Sequence, residues 1–210
     1  MSWQICQCTD SICAFRFPAE TSDLRRLHCP RCGSPTHSSQ LAIVQDEPDR
    51  APIGRERPRL DLHILLDNVR STYNVGSLFR TADGAGVRCL HLCGITPTPQ
   101  NLKVGKTALG AEQKITWRYY HNALHAADSL KAAGMHLWAL EATPAAPSLF
   151  ELSPPQDRPL ALIIGNEVTG VDPALLERSD RVVRLPMTGS KGSLNVASAA
   201  AVAIYWLCFG

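Results

Sequence analysis

From residue 60 to the end of the chain, short apolar runs alternate with stretches of helical pattern. Six runs of β type lie at residues 60–67, 88–93, 115–120, 135–141, 160–165 and 181–186. The helical stretches lie at residues 74–85, 123–133, 173–178 and 195–209. This alternation is typical of a mostly parallel sheet flanked by helices. We therefore predict that residues 60–210 form one α/β domain.

The chain carries no sequence signal for a membrane or for secretion. Its longest apolar stretch, residues 196–209, is shorter than the roughly 18 residues that a bilayer-spanning helix needs. The N-terminal residues lack the basic start and the apolar run of a secretory signal. The sequence predicts a soluble, cytoplasmic protein that does not use a membrane.

Five of the eight cysteines lie within the first 32 residues. Four of them form two close pairs, Cys8 with Cys13 and Cys29 with Cys32. Four thiolates at such spacing suit a tetrahedral zinc ion, which supplies folding free energy that a short segment with a small core lacks. We predict a zinc-ribbon-like module over residues 1–38. Because all four ligands are cysteines, the metal has no open position and its role is structural.

Two alternatives to this ligand set remain open. Cys6 lies two residues before Cys8 and can replace it, and the cysteines can also stay reduced and metal-free. The three later cysteines lie in apolar runs and are predicted to be core residues: Cys89, Cys93 and Cys208.

The segment after the cysteines, residues 39–59, mixes three prolines with charged side chains and is predicted to be a linker. The net charge of +2 is too small to indicate a nucleic-acid-binding protein by itself. Between Arg70 and Arg118, however, seven basic residues stand against two acidic ones. If these residues share a face, that face attracts an anionic ligand; the alternative is an ordinary solvated surface.

Two glycine-rich stretches fail the tests for familiar nucleotide sites. "GSKGS" at residues 189–193 places the lysine between two glycines that are too close together for a P-loop. "GAGVRC" at residues 84–89 has cysteine in the place of the third glycine of a dinucleotide fingerprint, and it follows a predicted helix instead of a strand. Neither a nucleoside triphosphatase nor a Rossmann cofactor site is predicted.

Three other stretches place polar residues where a predicted strand ends and a helix begins. They are "STYNVGSLFRTA" (71–82), "GNEVTGVD" (165–172) and "PMTGSKGSLN" (186–195). In open α/β sheets, ligands collect at the carboxyl ends of the strands. These stretches are therefore the candidate functional site.

Together these stretches resemble the SpoU/TrmH-like branch of the SPOUT RNA methyltransferases. "NVGSLFRTA" matches the first family motif, Asn-x-Gly-x3-Arg-x-Ala, and "GNEVTG" matches the second, Gly-x-Glu-x2-Gly. "PMTGSKGSLNV" matches the third, and "KTALGAE" (106–112) looks like the family segment between the first two. The resemblance covers residues 60–210 and leaves the cysteine-rich opening outside it.

The resemblance implies a fold, a cofactor and an assembly that periodicity alone does not predict. It implies a deep C-terminal trefoil knot, an S-adenosylmethionine (SAM) pocket built by the knot loops, and a homodimer. The apolar character of the C-terminal helix on every side agrees with a second subunit as its cover. By position, the residues implied to bind SAM are Gly165, Leu185, Met187 and Leu194, with Ala142 or Thr143 from the preceding strand end.

The resemblance also implies methyl transfer to a ribose 2′-hydroxyl of transfer or ribosomal RNA. It points to Arg80 as the central catalytic residue, surrounded by Asn74, Glu167, Ser193 and Asn195. A guanidinium gives up its proton only above about pH 12, so we interpret Arg80 as a clamp on substrate phosphate and a stabiliser of the developing alkoxide. Ser193 or a phosphate oxygen is then the candidate proton acceptor.

Two other functions are compatible with the same pattern. One is a SPOUT enzyme that methylates a base nitrogen, which shares the cofactor pocket but lacks the first motif. The other is a non-catalytic RNA-binding adaptor that uses the zinc ribbon and the basic segment 70–118. The intact set of polar motif residues argues against the adaptor. Neither the RNA nor the methylated nucleotide is predicted by the sequence.

Overall fold

The computed structural model describes residues 2–42 and 58–210. The chain divides into two units, Met1–Arg55 and Glu56–Gly210. A strand of the first unit continues to Ala42, beyond the predicted end of the cysteine-rich module at residue 38. The remainder of the predicted linker, except its last two residues, lies outside the described residues.

The N-terminal unit is a three-stranded antiparallel sheet. Its strands are β1 (Trp3–Cys8), β2 (Arg16–Glu20) and β3 (Thr36–Ala42), in the order β2-β1-β3. The described apolar side chains buried in this unit are small: Cys6, Cys8, Ala19 and Cys29. Such an interior removes little apolar surface from water, so the unit has a weak hydrophobic core.

Six parallel strands form the sheet of the C-terminal unit. They are β4 (Leu62–Asp67), β5 (Cys89–Cys93), β6 (Trp117–Tyr120), β7 (His136–Leu140), β8 (Leu160–Ile164) and β9 (Arg181–Val183). The strand order is β6-β5-β4-β8-β7-β9, and every neighbouring pair is parallel. The predicted α/β class and all six predicted strands are confirmed.

Six helices accompany this sheet. They are α1 (Thr72–Ala85), α2 (Leu102–Ala108), α3 (Ala111–Lys114), α4 (Ala123–Ala132), α5 (Pro173–Arg178) and α6 (Val196–Phe209). The sequence pattern missed α2 and α3, which are short and are separated by two residues with positive φ, Leu109 and Gly110. None of the described helices combines the length and the hydropathy that crossing a membrane requires.

The sheet has an apolar cluster on each face. Ile64 and Leu66 of β4 pack into the cluster that contains α1, α2 and α6, whereas Leu65 packs into the cluster that contains α4 and α5. The alternation follows from the period of two along a strand, and burial on both faces explains why the central strands β4 and β8 are mostly apolar. The predicted core cysteines, Cys89, Cys93 and Cys208, are buried as expected.

Strand order decides which loops meet. β8 lies between β4 and β7, although it follows both of them in sequence. Because all strands are parallel, the segments that follow β4, β7, β8 and β9 emerge at the same edge of the sheet. This edge contains all three stretches that the sequence analysis selected.

Candidate functional site

A cavity of about 410 Å³ lies at the carboxyl edge of the sheet. It is lined by residues 140–142 after β7, by residues 164–168 and 170 after β8, and by residues 185, 187, 192–196 and 199 around the start of α6. Its volume lies within the range of about 300–1,000 Å³ that small-molecule sites occupy. The second and third motif stretches therefore form the walls of one pocket.

Five of the six predicted cofactor residues line this cavity: Ala142, Gly165, Leu185, Met187 and Leu194. Thr143, the sixth, is not among the lining residues. Its backbone N–H donates instead to the carbonyl of Glu141 at 2.9 Å, within a turn that leads away from β7. Of the two alternatives at this strand end, the structure places Ala142 at the cavity.

The turn after β8 depends on its two glycines. A Cβ on Gly165 would lie 2.3 Å from the backbone carbon of Gly170, and Gly170 itself has a φ of +73°. The Asn166 side chain closes the turn, because its Oδ1 accepts the backbone N–H of Val168 at 2.8 Å and of Thr169 at 3.2 Å. Backbone geometry thus explains both glycines of the motif Gly-x-Glu-x2-Gly.

Glu167, within that turn, binds the start of α1 and the two residues that precede it. Its Oε2 accepts the backbone N–H of Arg70 at 2.9 Å, and its Oε1 accepts the N–H of Ser71 at 3.0 Å and the Asn74 amide at 2.9 Å. Partial burial acts to raise the pKa of Glu167, but these donors outweigh it and hold the pKa below its usual value. The carboxylate is therefore ionised and poorly suited to accept a proton.

The same network continues to the third motif. Asn195 donates from Nδ2 to Oδ1 of Asn74 at 3.1 Å. Its own Oδ1 caps α6 by accepting the N–H groups of Ala197 at 3.0 Å and Ser198 at 3.2 Å. Glu167, Asn74 and Asn195 thus connect the three motifs in one chain of hydrogen bonds, and Asn195 has the helix-start position that the sequence predicted.

The other two predicted catalytic residues are less constrained. Ser193 is exposed and lines the cavity. Arg80 is exposed on α1 and does not line the cavity. Its side chain has no hydrogen bond or ion pair within residues 2–42 and 58–210. Asn74 also lies outside the cavity lining, but its contacts with Glu167 and Asn195 place it next to the wall.

Sequence reasoning missed Glu141, which lines the cavity directly after β7. Its Oε2 accepts the backbone N–H of Val171 at 2.8 Å, and its Oε1 accepts that of Ala142 at 3.0 Å. Glu141 therefore joins the end of β7 to the glycine turn after β8. An acidic residue that ends an apolar strand at the ligand-binding edge was the signal that could have found it.

The four predicted metal ligands form a separate cluster in the N-terminal unit. The sulfurs of Cys8 and Cys32 are 3.5 Å apart, those of Cys13 and Cys29 are 3.8 Å apart, and all four lie within 4.8 Å of one another. Gly33, directly after Cys32, has a φ of +78°, a backbone conformation that glycine adopts readily, and it turns the chain beside the cluster. Among the described residues, the cluster contains Cys8 and does not contain Cys6.

The thiols of this cluster differ in acidity. Burial raises the pKa of Cys8 to about 12, whereas the hydrogen bonds of Ser34 lower the pKa of Cys32 to about 6. Cys32 thus loses its proton more readily than Cys8, and a cation at the centre of the cluster would favour deprotonation of all four thiols.

The model of the SpoU rRNA Methylase family matches residues 61–205 of this chain. This range contains all three motif stretches and excludes the cysteine cluster.

Two curated relatives match a similar range. The 23S rRNA (guanosine(2553)-2′-O)-methyltransferase RlmP of Bacillus subtilis is 38% identical over 144 residues, which cover 69% of this chain and 56% of the relative. The tRNA (guanosine(18)-2′-O)-methyltransferase of Escherichia coli is 28% identical over 153 residues, which cover 73% of this chain and 64% of the relative. The chain thus spans less than two thirds of the length of either protein.

A solved structure with the same fold contains a cofactor. The SpoU methyltransferase AviRb of Streptomyces viridochromogenes, crystallised in complex with AdoMet, superposes with a TM-score of 0.61 at 26% identity. The match covers 82% of this chain and 64% of that protein.

Proposed function

Because this chain belongs to the SpoU rRNA Methylase family, we propose that it is a SAM-dependent methyltransferase that acts on a ribose 2′-hydroxyl of RNA. The observation that carries the proposal is the hydrogen-bonded chain from Glu167 through Asn74 to Asn195. It joins the three family motifs beside one cavity. The names of the two curated relatives, both 2′-O-methyltransferases, support the same reaction.

The cavity suits SAM in its chemistry. Leu185, Met187 and Leu194 offer apolar walls for an adenine ring, while backbone groups of the loops are available to its polar edge. The ionised Glu167 and the carboxylate of Glu141 make the surroundings compatible with a cation. When bound, SAM supplies an electrophilic methyl group on a positively charged sulfur. A relative crystallised with this cofactor, AviRb, supports the assignment.

The residues of this chain then have separate tasks. Glu167 is a positioning residue, because its depressed pKa and three donors leave it unable to act as the base. It orients the Asn74 amide, which in turn orients Asn195. Ser193 is exposed at the cavity and is a candidate proton acceptor, together with a phosphate oxygen of the substrate.

Arg80 supplies the positive charge that the reaction needs outside the cavity. Its guanidinium has no partner among the described residues, so it is available to bind the phosphate next to the reacting ribose. In that position it also stabilises the alkoxide that develops as the hydroxyl loses its proton. Orientation of the two reactants supplies up to about 7–11 kcal/mol of the remaining barrier reduction.

We propose a trefoil knot and a homodimer for the same unit. The insertion of β8 between β4 and β7, with β9 added beyond them, supports the knot. α6 supports the dimer, because one side of it is buried within the chain while Val202 and Tyr205 on the other side are 42% and 48% exposed. A second copy that packs on this apolar side removes it from water.

The four-cysteine cluster is proposed to hold a structural zinc ion. Tetrahedral zinc with Zn–S bonds of about 2.3 Å places its sulfurs about 3.8 Å apart. The distances of 3.5 and 3.8 Å between the sulfur pairs fit this geometry. The small buried residues of the unit leave folding free energy to be supplied by a metal.

The substrate is proposed to be a structured transfer or ribosomal RNA, as the names of the two relatives suggest. Ribose-methylation mapping of total RNA from cells with and without the gene tests this proposal. We expect one 2′-O-methylated site to disappear when the gene is removed and to return when it is restored. An unchanged ribose-methylation map contradicts the proposed function.

A further inference from the structure

A second cavity, of about 670 Å³, lies at the opposite edge of the parallel sheet. Its lining includes His63 near the start of β4, Cys89 at the start of β5 and Arg118 near the start of β6. These residues mark the amino ends of the strands, whereas the proposed SAM cavity lies at the carboxyl ends. The two cavities share no lining residue. The methyl-transfer proposal gives this second cavity no role.

Two histidines form its floor. His63 Nδ1 and His91 Nε2 are 3.0 Å apart, and their rings stack with centroids 5.3 Å apart. Burial lowers the pKa of both, that of His91 to about 4, so both rings are neutral near pH 7. His91 is only 2% exposed, and its Nδ1 has no hydrogen-bond partner. The two rings thus form a buried, uncharged base for the cavity.

Unpaired cations surround the floor. Arg88, Lys114 and Arg118 line the cavity, are exposed, and have no side-chain hydrogen bond or ion pair among the described residues. Arg118 lies directly beside His91 in the ladder between β5 and β6. The cavity lining contains one acidic residue, Asp83, against these three cations. The basic segment that the sequence analysis identified thus contributes a local excess of positive charge.

The excess positive charge around this cavity favours an anionic ligand over a metal ion. His63, Cys89 and His91 place their ligand atoms within 4.8 Å of one another, which is a spacing that a metal ion can use. However, burial raises the pKa of the Cys89 thiol, and three nearby cations repel a further positive ion. An oxyanion is attracted by the three cations, which outnumber the two nearby carboxylates, Asp83 in the lining and Asp61 with its Oδ1 3.9 Å from His63 Nε2. Guanidinium and ammonium N–H groups can donate to its oxygens.

We propose that this cavity binds a phosphate group, with Arg88, Lys114 and Arg118 as its charged ligands beside the neutral pair of His63 and His91. The phosphate belongs either to a free nucleotide or to an RNA backbone. Both sources present the same oxygens to these residues.

Isothermal titration calorimetry on the full-length protein tests the proposal. The probes are inorganic phosphate, adenosine 5′-monophosphate and a short oligouridylate that lacks terminal phosphates. We expect saturable binding of at least one probe. If phosphate and the mononucleotide bind, the natural ligand of the cavity is a free nucleotide. If only the oligouridylate binds, the ligand is an RNA backbone.

Variants locate the binding. Arg118→Gln and Lys114→Gln should each weaken it at least about tenfold, because each removes a charge-assisted hydrogen bond. Lys103→Gln, which neutralises an exposed lysine on α2 outside the cavity, should leave the affinity unchanged. All three positions are exposed, so the variants should fold, and unchanged SAM binding verifies this independently of phosphate.

Three results would overturn the proposal. The first is that no probe binds saturably. The second is equal affinity of the wild type and both cavity variants. The third concerns zinc. If the Cys13→Ser variant still contains one equivalent of zinc, and the double variant Cys13→Ser, His91→Gln contains none, the cavity binds a metal ion instead of phosphate.

Discussion

Glu167 shows how one residue organises the proposed active site. Its carboxylate receives three donors at the start of α1: the backbone N–H groups of Arg70 and of the N-cap Ser71, and the side-chain amide of Asn74. The positive end of the helix dipole favours the ionised form further. The glutamate of the second motif is therefore explained by the position of α1 relative to the glycine turn, without a role in proton transfer.

Glu167→Gln should loosen this contact while it keeps the shape of the side chain. We expect SAM affinity to fall several-fold and the free energy of unfolding to fall by about 1 kcal/mol, because a neutral amide is a weaker acceptor. Calorimetric titration and urea unfolding measure the two effects. Unchanged SAM affinity in a folded variant would contradict the positioning role.

The pH dependence of this contact has a definite sign. The folded pKa of Glu167 is depressed below its usual 4.5, so its stabilising effect is complete above that value and is lost as the pH falls through the lower, folded pKa. The stability difference between the wild type and Glu167→Gln should therefore narrow below about pH 4.5. Unfolding curves of both proteins, measured at several pH values, test this prediction.

Arg80→Ala tests the electrostatic part of the mechanism. We expect methyl transfer to fall at least about a hundredfold, the usual scale for loss of a key stabilising group. SAM affinity and thermal stability should stay unchanged, because Arg80 is exposed and has no partner among the described residues. Lys103→Ala is the control for loss of an exposed cation. Near-normal turnover by Arg80→Ala would remove the residue from the mechanism.

At the scale of elements, the close approach of α1 and α2 explains the glycine of the first motif. A Cβ on Gly76 would lie 2.7 Å from the Val104 carbonyl oxygen and 2.9 Å from the Ala108 backbone nitrogen. Both obstacles are backbone atoms of α2, which cannot move without shifting the helix. Gly76 therefore allows α2 to pack against the helix that carries Asn74 and Arg80.

Gly76→Ala should lower the free energy of unfolding by about 1–3 kcal/mol, the usual cost of overpacking. Gly84→Ala on the same helix is the matched control, because its Cβ would meet only the hydroxyl of Tyr205, at the end of a movable side chain. Alanine also favours a helix by up to about 1 kcal/mol over glycine, so this control should be neutral or stabilising. Equal destabilisation of both variants in urea would contradict the packing argument.

The sequence predicted the strands and helices better than the contacts between them. The apolar strands could be predicted because both faces of β4 and β8 are buried, so β8 is a continuous apolar run and β4 is interrupted only by His63 before it ends at Asp67. α2 and α3 could not, because α2 has only seven residues, one of them a glycine, and α3 has only four, so neither gives a sustained helical period. The bond between Asn74 and Asn195 joins residues 121 positions apart, and no local pattern encodes such a contact.

The residues of the candidate site that lie within the motifs could be predicted, whereas a residue whose role depends on a long-range contact could not. The resemblance supplied Gly165, Met187 and Leu194, which line the cavity. It did not supply Glu141, which lies outside the three motifs and acts through its contact with Val171. Its role depends on strand order, which places the end of β7 next to the turn after β8.

At the scale of the whole molecule, the two units are stabilised differently. The C-terminal unit has apolar clusters on both faces of its sheet, whereas the described interior of the N-terminal unit is mostly cysteine. Purified protein should therefore contain about one equivalent of zinc per chain, bound by four thiolates. Elemental analysis measures it, and less than half an equivalent would contradict the structural zinc.

A chelator should separate the stabilities of the two units. Removal of zinc should increase proteolysis within residues 2–42 and leave the SAM affinity of residues 58–210 unchanged, because the cavity contains no residue of the N-terminal unit. Cys13→Ser should reproduce this result, whereas Cys208→Ser, a change outside the cluster, should leave the zinc content unchanged. Equal protease resistance with and without the chelator would refute the folding role of the metal.

The measurement that tests the central claim most directly is methyl transfer in vitro. The full-length protein is incubated with SAM that carries an isotopically labelled methyl group and with RNA from cells that lack the gene. The RNA is then digested to nucleosides and analysed by mass spectrometry. We predict that the label appears on the ribose of a 2′-O-methylnucleoside and is strongly reduced with Arg80→Ala. Label on a base, or no label above that of the Arg80→Ala protein, would contradict the account.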